Sequence, residues 1–112
     1  IICDDVAIKV LNMKNPDEEE IKRFYIEHEI LTENLSNCDV SRVALKKTKH
    51  NGFHCMYLGW FNGVTLEEYI TRRSKNKRSV EKYDIINAVR LSCMITNALS
   101  QIHDCKVIHN DF

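Results

Sequence analysis

DVAIKVLNM, Asp5 to Met13, runs almost directly into NPDEEEIKRFYIEHEILTENL, Asn15 to Leu35, and the pair decides the fold class as α+β. The first stretch alternates and is β-branched at Val6, Ile8 and Val10, which reads as a strand carrying Lys9 among apolar neighbours. The second opens with Asn15 as N-cap, Pro16 in the first turn, and Asp17, Glu18, Glu19 and Glu20 at the positive end of the helix dipole. Its apolar face is Ile21, Phe24, Leu31 and Leu35. At the angular step of an α-helix, Glu27 lies about 60° from Phe24 and about 40° from Leu31, so it faces inward while Glu29 faces water. An inward Lys and an inward Glu are each costly to desolvate alone, and together they neutralise one another. Lys9 can therefore pair with Glu27, but the residue types alone favour a lysine that snorkels past the strand and a glutamate at the helix edge.

Outward from this unit, SRVALKKTKHNGFHCMYLGW, Ser41 to Trp60, holds two short strands around Asn51-Gly52, the strongest local hairpin signal. TLEE then makes a capping box, Thr65 to Glu68, that opens a helix of about two turns. RRSKNKR, Arg72 to Arg78, is a basic run without aromatic interleaving and reads as a solvated loop, not a nucleic-acid site. A long helix follows from about Tyr83 to His103, with Ile85, Val89, Ser92, Ile95, Leu99 and Ile102 on one face. The order is strand, helix, strand, strand, helix, helix.

The bulk properties narrow the class of protein. A chain of 112 residues, 44% hydrophobic and 29% charged, suits one modest core. Lys plus Arg and Asp plus Glu number 16 each, so net charge recruits neither nucleic acid nor an acidic membrane. Five cysteines, an odd set with no Cys-x-x-Cys pair, sit mostly among apolar neighbours as reduced thiols do, and a cytoplasmic location is expected. No apolar run approaches the ~20 residues of a membrane span, and no signal-peptide pattern opens the chain.

VAIK at Val6 to Lys9 resembles the third-strand motif of protein kinases, and IHND at Ile108 to Asp111 resembles the start of their His-Arg-Asp catalytic loop. Between them, Glu27 in RFYIEHEIL falls where that family places its helix-C glutamate. YLGWFNGVTLEEYI is similar to the fifth strand, hinge and following helix. RFYIEHEIL, GVTLEEYI and VIHNDF further resemble the Ser/Thr-type kinase domains of multi-sensor signalling proteins. The likeness covers essentially the whole chain. It implies a partial kinase fold: strands three to five and helix C over residues 1–58, a hinge over 59–64, and the first helices of the helical lobe over 65–112.

The same resemblance implies ATP-dependent phosphoryl transfer to protein hydroxyl groups in signal transduction, with ATP and Mg²⁺ as cofactors and a protein as the other partner. Lys9 would hold the α- and β-phosphates, oriented by Glu27. Ala7 would pack the adenine ring, and Leu58, Gly59 and Phe61 would border it, Leu58 as gatekeeper and the rest through the main chain. Gly59 stands where the family often has Glu, which loosens the hinge. Asp111 would accept or orient the proton of the attacking hydroxyl, and Leu31 and His109 would belong to the stacked hydrophobic spine. Asn110 replaces the usual Arg, so phosphorylation of an activation loop is not expected to be the switch. The glycine-rich loop, the catalytic-loop Asn and the Asp-Phe-Gly metal ligand are missing, and the chain is read as an inactive piece of an active kinase. Two other readings stay open: a pseudokinase scaffold, and a small-molecule kinase of the choline-kinase or aminoglycoside-phosphotransferase type.

Overall fold

The computed structural model describes residues 5–75 and 79–109. Among them are three strands, β1 (Val6–Val10), β2 (Ala44–His50) and β3 (Phe53–Gly59), and three α-helices, α1 (Glu18–Glu29), α2 (Leu66–Ser74) and α3 (Lys82–Asp104). The order along the chain is the one the periodicities imply. Two compact units divide it: the first runs to Phe61 and takes in Gln101 onward, and the second is Asn62–Ser100.

In the first unit the sheet is antiparallel, with β3 between β1 and β2. Asn51 (φ 49°) and Gly52 (φ 83°) close the β2–β3 hairpin. Positive φ at both central residues is the primed turn whose twist matches the strands, which is why this dipeptide marks hairpins so well. The turn aligns His50 with Phe53, and a bulge between Ala44 and Lys46 breaks the ladder at its far end. On the other side of β3, Ala7 stands opposite Leu58 and Lys9 opposite Met56. Opposite residues share a face, so these four form one surface. Met56 and Leu58 are 0% and 1% exposed and form the centre of the core, with Cys55 and Leu35 also buried. Val6, Ile8 and Val10 alternate onto the other face and stay about half exposed.

The start of α1 corrects the expected cap. Asp17, not Asn15, is the N-cap: the Glu20 amide donates to Asp17 Oδ1 at 2.8 Å, and the Asp17 amide donates to Glu20 Oε2 at 2.9 Å. Asn15 instead takes φ 51°, because the proline after it disfavours the right-handed helical conformation there. Acid residues at 18 to 20 fill the first turn as expected. At its other end α1 continues into a π-helical turn, Ile30–Asn34, in which the Leu35 amide donates to the Ile30 carbonyl at 3.0 Å. The Thr32 hydroxyl donates to the His28 and Glu29 carbonyls, a side-chain competition of the kind that accompanies such wide turns.

In the second unit, Thr65 caps α2 with the expected box: the Glu68 amide donates to Thr65 Oγ1, and the Thr65 amide donates to Glu68 Oε2, both at 3.1 Å. Two sequence expectations change here. Arg72 and Arg73 belong to the last turn of α2, where arginine has good helix propensity and meets the negative end of the dipole; residues 76–78 of the basic run lie outside the described residues. Arg73 is also not without aromatic company, since its guanidinium lies over the Tyr69 and Tyr83 rings at 5.5 and 5.7 Å. The stripe on α3 is likewise only part of the packed face. Ile95, Leu99 and Ile102 are half-buried, whereas Ile85 and Val89 are exposed, because α3 is apolar on more than one side and Asn87 and Leu91 take the half-buried positions.

The hairpin yields a direct test. Gly52→Ala forces a side chain into the left-handed region and should cost about 1 kcal/mol in urea unfolding. Gly63, which has open space and no positive φ, serves as the control: Gly63→Ala should stay within about 0.5 kcal/mol of the parent. Equal effects at the two glycines would contradict the turn assignment.

Candidate functional site

Lys9 and Glu27 do meet. The Lys9 ammonium donates to Glu27 Oε2 at 2.5 Å, joining the middle of β1 to the third turn of α1. The expectation that both are buried is corrected: their side chains are 56% and 38% exposed. β1 lies at the sheet edge, and the long lysine stem carries its head past the strand into water. Desolvation therefore does not force this pairing. An ammonium has three N–H donors and Glu27 takes one, so the arrangement presents an oriented cation able to meet further anionic oxygens.

Beside it on the same face lies Ala7, half-buried and opposite Leu58. Leu58 is only 1% exposed and acts first as a core residue. Gly59, also buried, ends β3; its amide donates to the Val43 carbonyl at 2.8 Å, and the Trp60 amide donates to the Asp5 carbonyl at 3.0 Å. Those two main-chain donors are committed, and any ring edge is left to other groups of the segment. Phe61 is exposed at the end of this stretch of the first unit. Leu31 sits half-buried in the π-helical turn, and His109 is exposed beyond α3. Asp111 and Asn110 lie outside the described residues. The structure thus brings Ala7, Lys9, Glu27 and Leu58 to one surface, with Gly59 at the end of the same strand as Leu58.

Residue chemistry alone did not single out the group on the other flank of α1. The Tyr25 hydroxyl lies 3.1 Å from the Thr48 carbonyl and 3.0 Å from His54 Nδ1. A carbonyl can only accept, so the hydroxyl proton goes to Thr48 and His54 supplies its Nδ1–H to the tyrosine oxygen. The Tyr25 and His54 rings meet edge to face with centroids 5.5 Å apart, and the Lys47 ammonium lies 5.4 Å from the Tyr25 centroid. Burial, reinforced by the neighbouring Cys55 thiol, pushes the Tyr25 phenol above its usual 10.0. Nothing in a one-dimensional pattern ties residue 25 to residues 48 and 54. His28, whose Nε2 has no hydrogen-bond partner among the described residues, is the buried polar residue of α1; its position between Phe24 and Ile21 on the helix wheel was the available signal.

Other chemistry among the described residues is limited. Cys38, Cys55, Cys93 and Cys105 are free thiols, and Cys105 is held above its ordinary pKa by burial first and by Cys38 second. No group of three His, Cys, Asp or Glu side chains among the described residues is placed to hold a metal ion. No described helix is long and apolar enough to cross a membrane. A groove of 510 Å³ between α2 and α3 lies wholly in the second unit, lined by Leu66, Ile70, Leu91 and Ile95 among others. No family model, curated protein or solved structure matches this chain.

The Tyr25 phenol gives a pH prediction. Its folded pKa is raised, so the folded chain keeps the proton where the unfolded chain begins to lose it, and this contribution to stability falls as pH rises above about 10. Tyr25→Phe should be less stable than the parent by about 1 kcal/mol at neutral pH through the lost hydrogen bonds. In urea unfolding across the alkaline range, that gap should narrow above about pH 10. A gap that stays constant would contradict the assignment.

Proposed function

We propose that this chain is the nucleotide-binding part of a protein kinase of the Ser/Thr type, acting with ATP and Mg²⁺ on protein hydroxyl groups. The observation that carries the reading is the Lys9–Glu27 ion pair, formed between residues 18 apart on a strand and a helix. Its two members are the residues that the kinase resemblance pairs. Ala7 on the same face offers a small apolar surface next to the cation, which suits a purine ring followed by phosphates. The succession of strand, helix, two strands and two helices supports the same reading.

In the proposed reaction the acceptor hydroxyl attacks the γ-phosphorus. The new O–P bond forms as the bond to the β–γ bridging oxygen breaks, ADP leaves, and Asp111 takes or orients the hydroxyl proton. Lys9 holds the α- and β-phosphates, and Glu27 fixes the direction of its N–H donors, so that catalysis rests on positioning and electrostatics. Mg²⁺, when bound, balances phosphate charge; residues for it are not found among those described, and the roles of Lys9, Glu27 and Asp111 do not depend on where it sits.

Substitutions separate these roles. Lys9→Met should weaken ATP binding about tenfold to a hundredfold, the loss of a charge-assisted hydrogen-bond donor. Glu27→Gln should have a smaller effect of the same kind. Asp111→Asn should leave ATP affinity near normal and suppress phosphate transfer in the full-length protein. Calorimetric titration with ATP and a transfer assay check all three. Unchanged ATP affinity in Lys9→Met, or transfer that survives both Lys9→Met and Asp111→Asn, contradicts the proposal.

A further inference from the structure

The structure assigns Tyr25 as a positioning residue: by anchoring α1 to β2 and β3, it sets the rotation of the helix that holds Glu27 against Lys9. This rests on the proposed role of Lys9 in phosphate binding, and it names the device that controls that site. The placement of the two anchors carries it. At the angular step of an α-helix, Glu27, Phe24, His28 and Tyr25 follow one another around α1 at about 60°, 40° and 60°. His28 is buried and Phe24 half-buried, so Glu27 and Tyr25 occupy the two rims of the packed face, about 160° apart. Glu27 reaches β1 at one edge of the sheet. Tyr25 reaches Thr48 of β2 at the other edge and His54 of the central strand β3.

A helix held at one rim can roll; a helix held at both cannot. The apolar contacts of Phe24 and the half-buried Ile21 between the rims are non-directional and tolerate a small rotation. A side-chain tip lies about 5–6 Å from the helix axis, so a roll of about 20° moves it by about 2 Å. That distance takes the 2.5 Å contact between Lys9 and Glu27 beyond ion-pair range. The exposed ion pair is itself too weak to hold the helix against such a roll. The hydroxyl of Tyr25 resists it because both its partners are fixed, one in the backbone of β2 and one in a histidine ring packed edge to face against its own. The ring alone would supply packing; only the hydroxyl supplies a direction.

The test uses Tyr25→Phe, which keeps the ring and removes only the hydroxyl, and His54→Phe, which keeps an aromatic partner and removes Nδ1. The first readout needs no nucleotide: the nuclear Overhauser contact between the Lys9 ε-methylene and the Glu27 γ-methylene. It should be present in the parent chain, lost in Tyr25→Phe and weakened in His54→Phe. The second compares affinities for ATP and adenosine. Tyr25→Phe should weaken ATP about threefold to tenfold, leave adenosine unchanged, and have no further effect on ATP when Lys9→Met is already present. Tyr25→Phe lowers the melting temperature under either role, but a merely structural one predicts that the affinities for ATP and adenosine move together, and that result overturns the inference. So does a Lys9–Glu27 contact that persists in Tyr25→Phe. If the contact is lost as expected but the parent binds neither ligand, the positioning role stands and the proposed function falls.

Discussion

A single ion pair, Lys9 to Glu27, is the contact that the arrangement of the first unit makes possible, since it forms only where an edge strand and a helix separated by a loop are placed to within a hydrogen-bond length of each other. Each layer of the local structure contributes to that placement. Register on β3 sets Lys9 opposite Met56, on the face where Leu58 is buried. The capping box at Asp17 starts α1 so that Glu27 falls in its third turn. Tyr25 then fixes the helix from its other rim.

The magnitudes separate what holds the unit together from what the pair does. Burying the side chains of Met56 and Leu58, both essentially inaccessible, contributes on the order of 1.5–3 kcal/mol each. An ion pair as exposed as Lys9–Glu27 contributes roughly 0–1 kcal/mol. The fold therefore rests on the apolar face of β3 and on Leu35, and would tolerate the loss of either charge. A cation oriented by a carboxylate yet open to water is poorly explained as a stabilising device. It is well suited to receiving an anion from solution.

Those features that depend on a few adjacent residues were legible in the sequence. Asn51-Gly52 closes a hairpin because two consecutive positive φ angles are cheap there, and Thr65 with Glu68 satisfies two amide donors within one turn of chain. The pairing of Lys9 with Glu27 was not decided by the residue types, which favoured a snorkelling lysine; the lysine is indeed largely exposed, and it meets Glu27 as well. What escaped depends on contacts across the chain or on competition between neighbours. Asn15 is a good N-cap type, but Pro16 constrains it and Asp17 takes the position. The Tyr25 anchor requires the β2–β3 register to be known before Thr48 and His54 can be seen as its partners. The packed side of α3 could not be chosen by periodicity, because apolar residues such as Ile85, Val89 and Met94 remain on its exposed sides.

The claim that Lys9 is a phosphate-binding cation is tested most directly by covalent labelling with an acyl phosphate of ATP. In this reagent the amine nearest the bound phosphates attacks the mixed-anhydride carbonyl, an amide forms, and ATP departs. Mass spectrometry of the digested chain then identifies the acylated lysine. The account predicts that Lys9 carries the label in preference to Lys46, Lys47 and Lys49 on β2, and that excess unlabelled ATP protects it. Labelling spread evenly over the exposed lysines and insensitive to ATP would contradict it.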